Sequence, residues 1–283
     1  MPVVSTRSVV NQALEGGYAV PAFNVFNDLT MEAVLAAAEE LQSPLIVQTS
    51  VKTVRSIGSG LLIAMWREMT KSLTVNVALH LDHCPTRDLI SECLAAGWNS
   101  VLFDASMLSV AENQAQCLEV VAEARRWGAD VEGEIEPIQG VEDGIGSDET
   151  TRSESLAIAA RFIEQTGVDI FAPSIGNAHG VYRSEPMLDV QRVTDLVAAT
   201  GVPMALHGGT GLAPEQFSDL IARGCAKVNV STAVKLSYME ATRGYLDANS
   251  GEGDPPSLFR HVRVGVMAMA REHIRMFKSE GRG

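Results

Sequence analysis

The chain has 283 residues, 46% of them hydrophobic and 20% charged, and a formal net charge of −13. Such an acidic chain lacks the clustered Lys and Arg of a duplex-binding surface, so no nucleic-acid partner is expected, although backbone N–H groups could still hold a phosphorylated metabolite. No apolar run approaches the roughly 18–20 residues of a membrane span, and Met1 to Gly16 has no apolar signal core, so no membrane partner is expected either.

The cysteines Cys84, Cys93, Cys117 and Cys225 form no C-x-x-C pair. A chain of this length does not need a disulfide framework, and a reduced, cytoplasmic protein is expected. No low-complexity segment or linker divides the sequence, so residues 1–283 are read as a single domain.

In chain order, a helix from Ser5 to Leu14 is followed by a strand over Ala19 to Asn24. Asp28 or Thr30 could cap the next helix, which runs to Leu41. A strand over Pro44 to Ser50 precedes a helix from Leu61 to Lys71. The third strand spans Val75 to Pro85. Its Val75, Val77, Leu79 and Leu81 share one face, while His80 and Asp82 share the other. His83 stands where the strand should end, because Pro85 cannot continue a central ladder. Ionisable groups at a buried strand end need partners. They make either a hydrogen-bonded polar terminus or a metal or acid–base site.

The alternation continues. The predicted helices are Arg87–Ala96, Val110–Trp127, Glu154–Thr166, Asp189–Thr200 and Pro214–Arg223. The strands between them are Ser100–Asp104, Asp130–Glu136, Asp169–Ile175, Pro203–His207 and Ala226–Ser231. The fifth strand is acidic on one face, and an acid- and Gly-rich loop runs from Pro137 to Arg152. Thr232 to Asp247 is helical. A last helix, Ser257 to Lys278, is extra and amphipathic, with Phe259, Val262, Val266, Met269 and Ile274 near one face. Short strands alternating with helices at roughly 25–35-residue spacing argue for parallel βα units. Eight such units predict a (β/α)8 barrel with an additional C-terminal helix. No G-x-G-x-x-G follows the first strand, which weakens a dinucleotide-binding fold.

Barrel chemistry sits at the carboxyl ends of the strands. Four of the six histidines, His80, His83, His179 and His207, fall in strand-end segments. Three histidines converging from different strands suit a catalytic Zn²⁺ with an open position for substrate. Gly208-Gly209-Thr210-Gly211 and Asn229 to Thr232, after the seventh and eighth strands, suit a phosphate site made from backbone N–H groups.

The motif set resembles the class II, metal-dependent ketose-bisphosphate aldolases, of the fructose- and tagatose-bisphosphate type. The resemblance is carried by Pro21-Ala22-Phe23-Asn24, His80-Leu81-Asp82-His83, Val131-Glu132-Gly133-Glu134, Gly140-Val141-Glu142-Asp143, Gly176-Asn177-Ala178-His179-Gly180, His207-Gly208-Gly209-Thr210-Gly211 and Lys227-Val228-Asn229-Val230. It implies a zinc-dependent lyase that splits a ketose 1,6-bisphosphate, with fructose 1,6-bisphosphate as the best single candidate, into dihydroxyacetone phosphate and an aldehyde. His83, His179 and His207 would bind the metal, with Asp104 and Glu134 beside it. Asp82 would be the acid/base, and Glu142 would exchange a proton on the dihydroxyacetone phosphate half. Gly180, Gly208, Gly209, Thr210, Asn229, Ser231 and Thr232 would hold that half, and Asn24 and Ser50 would also contact substrate. A monovalent cation, Na⁺ or K⁺, beside the phosphate and a homo-oligomer, dimer or tetramer, are also implied.

The sequence departs from the family at Cys84, where many relatives have Gly, and at Thr210, where Ser is usual. Many relatives also carry an Asp-Pro-Arg whose arginine binds the distal phosphate. Here the segment reads Asp254-Pro255-Pro256, and Arg260 or Arg263 could stand in. An aldolase for a ketose 1-phosphate with an unphosphorylated aldehyde half is therefore the second reading. A Schiff-base aldolase would need a desolvated lysine at the rim. Lys227 is the only strand lysine and lies early in its strand. A non-catalytic sugar-phosphate-binding barrel could keep the glycines without Asp82 and three histidines. Asp104 could also cap the following helix or orient His83.

Overall fold

The computed structural model describes residues 2–142, 145–147, 153–180, 186–251 and 253–283, excepting the side chains at 141, 142 and 145–147. Helix α1 (Thr6–Gly16) precedes β1 (Val20–Asn24), α2 (Asp28–Leu41), β2 (Leu45–Ser50), α3 (Val51–Ile57), α4 (Ser59–Met69) and β3 (Val77–Cys84). Next come α5 (Arg87–Ala96), β4 (Ser100–Phe103), α6 (Val110–Trp127), β5 (Asp130–Gly133), β6 (Gly140–Glu142) and β7 (Ile145–Ser147). The remainder is α7 (Leu156–Thr166), β8 (Ile170–Phe171), α8 (Val190–Thr200), β9 (Met204–Leu206), α9 (Pro214–Arg223), β10 (Cys225–Val230), α10 (Thr232–Ala248) and α11 (Pro255–Met276). β1 to β5 and β8 to β10 close into a parallel barrel, with β1 paired to both β2 and β10. This is the expected (β/α)8 barrel, with α11 as the extra C-terminal helix. No helix among the described residues is long and apolar enough to cross a membrane.

Period-two alternation sorts each strand. Phe23, Val47, Leu79, Leu81, Val101 and Val131 face the surrounding helices in one core. Val20, Ala22, Ile46, Ala78, Ile170, Ala172, Ala205 and Ala226 point into the barrel, where Val9, Val10 and Ala13 of α1 meet them. The apolar filling stops one layer higher. Gln48, His80, Glu132 and Lys227 follow, all fully buried, and the ligand-bearing rim lies above them.

Several sequence expectations are corrected in detail. The helix expected from Leu61 is preceded by a separate α3, broken off at Gly58, whose φ of +93° suits glycine. α2 is capped by Asn27, whose Oδ1 accepts from Thr30 N at 2.9 Å, rather than by Asp28 or Thr30. The loop after the fifth strand contains the antiparallel pair β6–β7. The sixth strand is only two residues long. Ala172 N still donates to Gly133 O at 2.9 Å, but Pro173 has no N–H with which to continue the ladder. On α11, Val262, Val266, Ala270 and Ile274 are buried, whereas Phe259 is 53% exposed at the open end of the helix.

Candidate active site

The rim is shaped by two irregularities in the ladder. β3 pairs Leu81 with Val101 of β4, and then Cys84 with Phe103, so β3 spends one residue more than its neighbour. The extra residue is a bulge at Asp82 and His83, and His83 takes the uncommon φ of +40°. Without it, consecutive residues would face opposite sides of the strand. With it, Asp82 and His83 both enter the site. β10 has the same device lower down, between Cys225 and Lys227, which turns both Ala226 and Lys227 inward.

His83, from β3, meets His179, from the segment after β8, and His207, directly after β9. Each offers a ring nitrogen within 4.8 Å of the others. His83 Nε2 lies 2.8 Å from His207 Nδ1. The opposite nitrogens are fixed by carboxylates: His83 Nδ1 is 2.9 Å from Asp104 Oδ2, and His207 Nε2 is 2.7 Å from Glu132 Oε1. Carboxylate–imidazole pairs of this kind set the tautomer that leaves the inward nitrogen free for a metal. His179 is held by its backbone, with His179 N donating to Gln139 O at 2.7 Å. Asn177 joins the two loops by donating from Nδ2 to His207 O at 2.9 Å. His80 belongs to the layer below, where Nδ1 meets Ser100 Oγ at 2.7 Å. Burial and then Lys227 depress its imidazole to about 3.

Asp82 is held from both sides. Asn24 Nδ2 donates to Oδ2 at 2.7 Å, and Asn229 Nδ2 donates to Oδ1 at 3.2 Å. Gln48 Nε2 in turn fixes Asn24 Oδ1 at 2.7 Å. Asn24 and Asn229, expected as substrate contacts, hold the carboxylate next to the histidines.

The charge balance favours a cation. Burial opposes a charged His83, but Asp82, Asp104 and Glu134 outweigh it and hold the imidazole well above its usual range. Burial, and then the charge on Asp104, push Glu134 well up. Glu134 Oε2 is buried without a hydrogen bond among the described residues. His83, Asp104 and Glu134 form a second group with ligand atoms within 4.8 Å. Asp104 is also occupied by Ser106, whose Oγ donates to Oδ1 at 2.7 Å, so two of its roles, orienting His83 and bracing the loop, are visible.

The remaining expected residues are distributed around this centre. Gly208 and Gly209 follow His207 directly, with Thr210 half-buried beyond them. Gly208 has φ +65°, and a Cβ there would sit 2.2 Å from Ala178 O, so only glycine lets this loop lie against the one carrying His179. Gly180 also has positive φ. Ser231 Oγ is buried without a hydrogen-bond partner among the described residues, immediately before Thr232 opens α10. Ser50 is buried and caps α3, accepting from Thr53 N at 3.3 Å. The side chain of Glu142 lies outside the described residues.

A family model described as "Fructose-bisphosphate aldolase class-II" matches residues 4–282. The chain belongs to that family. It is an enzyme, a carbon–carbon lyase. Among solved structures, it is 31% identical to the YdjI aldolase from Escherichia coli K12, over 99% of both chains with a TM-score of 0.88. It is 28% identical to a putative fructose-1,6-bisphosphate aldolase from Coccidioides immitis, over 98% of this chain and 97% of that one, with a TM-score of 0.90. A fructose-bisphosphate aldolase from Campylobacter jejuni, 21% identical over 99% and 97% of the two chains, shares the fold with a TM-score of 0.85.

Sequence reasoning did not assign roles to two residues of this aldolase that organise the site from below. Glu132 orients His207 and pairs with Lys227 Nζ at 2.8 Å, both side chains fully buried. Burial opposes its charge, but Lys227 and His207 hold it well below the usual carboxylate range. The signal was present as acids at every second position from Asp130 to Glu136. Only the structure separates them: Asp130 binds Ser5 Oγ at the closed end, Glu132 sits at the centre, Glu134 at the rim, and Glu136 on Arg192. Lys227 Nζ also donates to Asn229 Oδ1 at 2.7 Å. An ammonium committed to two acceptors is not a Schiff-base nucleophile.

Lys227→Met should strand a buried carboxylate and destabilise the fold by about 3–5 kcal/mol. Chemical denaturation checks this. The double variant Glu132→Gln, Lys227→Met should recover most of the loss, and failure to recover would show that Lys227 contributes through packing instead.

Proposed function

We propose that this aldolase is zinc-dependent and reversibly cleaves a phosphorylated ketose to dihydroxyacetone phosphate and an aldehyde. Fructose 1,6-bisphosphate is the best single candidate. The observation that carries the reading is the bulge that presents Asp82 beside His83, with His179 and His207 converging on the same point. The donors fit the metal. Three imidazoles face inward, two of them are backed by carboxylates, and the surrounding charge is negative. His83, His179 and His207 would hold zinc, with Glu134 and Asp104 close enough to serve a second position. Bound zinc would supply Lewis acidity at the substrate's ketone oxygen.

The chain's own residues then have separable tasks. Asp82 takes the proton from the hydroxyl next to the bond that breaks, and returns it in the condensation direction. Asn24 and Asn229 keep its carboxylate aimed through the cycle. The bond electrons remain on the dihydroxyacetone phosphate half, which takes up a proton at carbon; Glu142 is the residue assigned to that exchange. Backbone N–H groups of Gly180, Gly208, Gly209 and Thr210, with Ser231 and Thr232 at the start of α10, hold the phosphate of this half. A monovalent cation beside the phosphate completes the site. The proposed homo-oligomer has exposed apolar side chains to use, including Leu236, Met239 and Leu246 on α10.

The second reading, a ketose 1-phosphate with a neutral aldehyde half, is favoured by the positions of two arginines. Arg263 pairs with Glu32 at 3.1 Å and Arg260 donates to Ser257 at 2.7 Å, and both line a recess whose lining does not include Asn24. The test is a panel of ketose 1-phosphates and 1,6-bisphosphates, in both C4 epimers, assayed for dihydroxyacetone phosphate before and after chelation. Release from at least one member, abolished by chelator and restored by zinc, is the expected result. Chelator-resistant turnover, or no turnover with any member, would overturn the reading.

A further inference from the structure

The three histidines reach their meeting point by different routes. His83 lies on β3 and His207 follows β9 directly, so the barrel itself places them. His179 stands well beyond the end of β8, where no barrel ladder reaches it. Its segment instead pairs with the one that leaves β5. Ala178 forms an isolated bridge with Gln139, and His179 N donates to Gln139 O at 2.7 Å. A Cβ on Gly140 would lie 2.8 Å from His179 O, so the two segments run in direct contact. Where His179 stands therefore depends on where Gln139 is held.

Glu136, just before Gln139, fixes that segment. Its Oε1 accepts from Glu154 N at 2.8 Å, where the chain returns toward α7, and from Arg192 Nη2 at 2.5 Å. Arg192 Nη1 also donates to Glu154 O at 2.7 Å. Arg192 lies in the first turn of α8, where the His179 segment ends, and Asp189 N beside it donates to Ile175 O at 2.8 Å. The Glu136 and Arg192 side chains are both buried. One guanidinium thus joins both ends of the segment carrying β6 and β7 to the far end of the segment carrying His179. Apolar side chains of similar volume often fill the place of a buried ion pair with equal or greater stability. They cannot hold three segments at hydrogen-bond distances.

We propose that Glu136 and Arg192 are positioning residues for His179. Through Gln139 they set where its imidazole stands relative to His83 and His207, and so how tightly the centre holds zinc. This rests on the assignment of His179 as a zinc ligand. Ligand atoms must meet a metal within a few tenths of an ångström, so a small drift of one imidazole weakens binding.

The test uses the full-length protein, with zinc affinity measured by competition against a chelator and the thermal midpoint measured on the same preparations. The double variant Glu136→Gln, Arg192→Met strands no buried charge. It should fold and bind zinc roughly ten- to a hundredfold more weakly, the range for residues that orient a ligand. Its cobalt-loaded absorption spectrum should shift toward that of His179→Ala. Added to His179→Ala, the double substitution should weaken binding no further. Arg192→Lys keeps the charge but not the fork, and should show a smaller loss in the same direction. Arg125 provides the control, since it binds Asp169 at 2.8 and 2.9 Å at the opposite end of the barrel. Arg125→Met should lower the midpoint and leave zinc affinity unchanged.

Unchanged zinc affinity in the folded double variant, an equal loss in Arg125→Met, or a further loss in the His179→Ala background would overturn the proposal. If the double variant does not fold, Arg192→Lys decides, and unchanged affinity there overturns it. If His179→Ala binds zinc as tightly as the wild type, the ligand assignment falls instead, and the positioning role with it.

Discussion

His83→Ala should lose its metal and its turnover together. The substitution removes one of three converging imidazoles and leaves Asp104 facing a gap where its 2.9 Å partner stood. Lewis-acid stabilisation in metal enzymes is worth several kcal/mol, and each 1.36 kcal/mol is tenfold in rate, so the loss should be roughly 10³-fold or more. His179→Ala and His207→Ala should behave alike. Elemental analysis of the purified variants, alongside dihydroxyacetone phosphate release, checks both halves of the statement. Stoichiometric zinc with near-normal turnover in any one of them would remove that residue from the ligand set. Asp104→Asn gives a useful contrast. If Asp104 orients His83 from outside the coordination sphere, the variant should bind zinc about 10–100-fold more weakly but still fill at high metal.

Asp82→Asn should retain zinc and fold while losing kcat by about 10²- to 10⁴-fold, the range usual for a general acid–base group. Asn is the more informative substitution because Asn24 and Asn229 both donate to the native carboxylate. Alanine would strand those buried donors at about 1–3 kcal/mol each and mix a stability effect into the kinetics. The amide keeps the shape and one acceptor oxygen but cannot take a proton from the substrate hydroxyl. Metal content, thermal midpoint and kcat measured on the same preparation separate the possibilities. A zinc-loaded, stable Asp82→Asn enzyme with unchanged kcat is incompatible with the acid–base role. A variant that loses zinc instead would place Asp82 in the metal's support.

The sequence by itself determined the barrel and which residues stand at the ends of its strands. Periodicity is local: Val77, Leu79 and Leu81 alternate with Ala78, His80 and Asp82, and glycines or caps end the helices, so the repeating βα pattern is visible without tertiary contacts. The same regularity could not place Asp82 and His83 on one side. That depends on a bulge, which is a property of β3 relative to β4 and has no signature in β3 alone.

Nor could the sequence rank equivalent residues. Four acids at alternate positions from Asp130 to Glu136 read alike, and only the partners across the barrel, Ser5, Lys227, His207 and Arg192, assign them different work. Lys227 reads as a lone strand lysine until the register of β10 brings it to Glu132 across the interior. Closure of the barrel likewise makes β1 the neighbour of both β2 and β10, strands far apart in the sequence. Local alternation sets which face a residue presents, while the pairing of distant strands decides what that face meets.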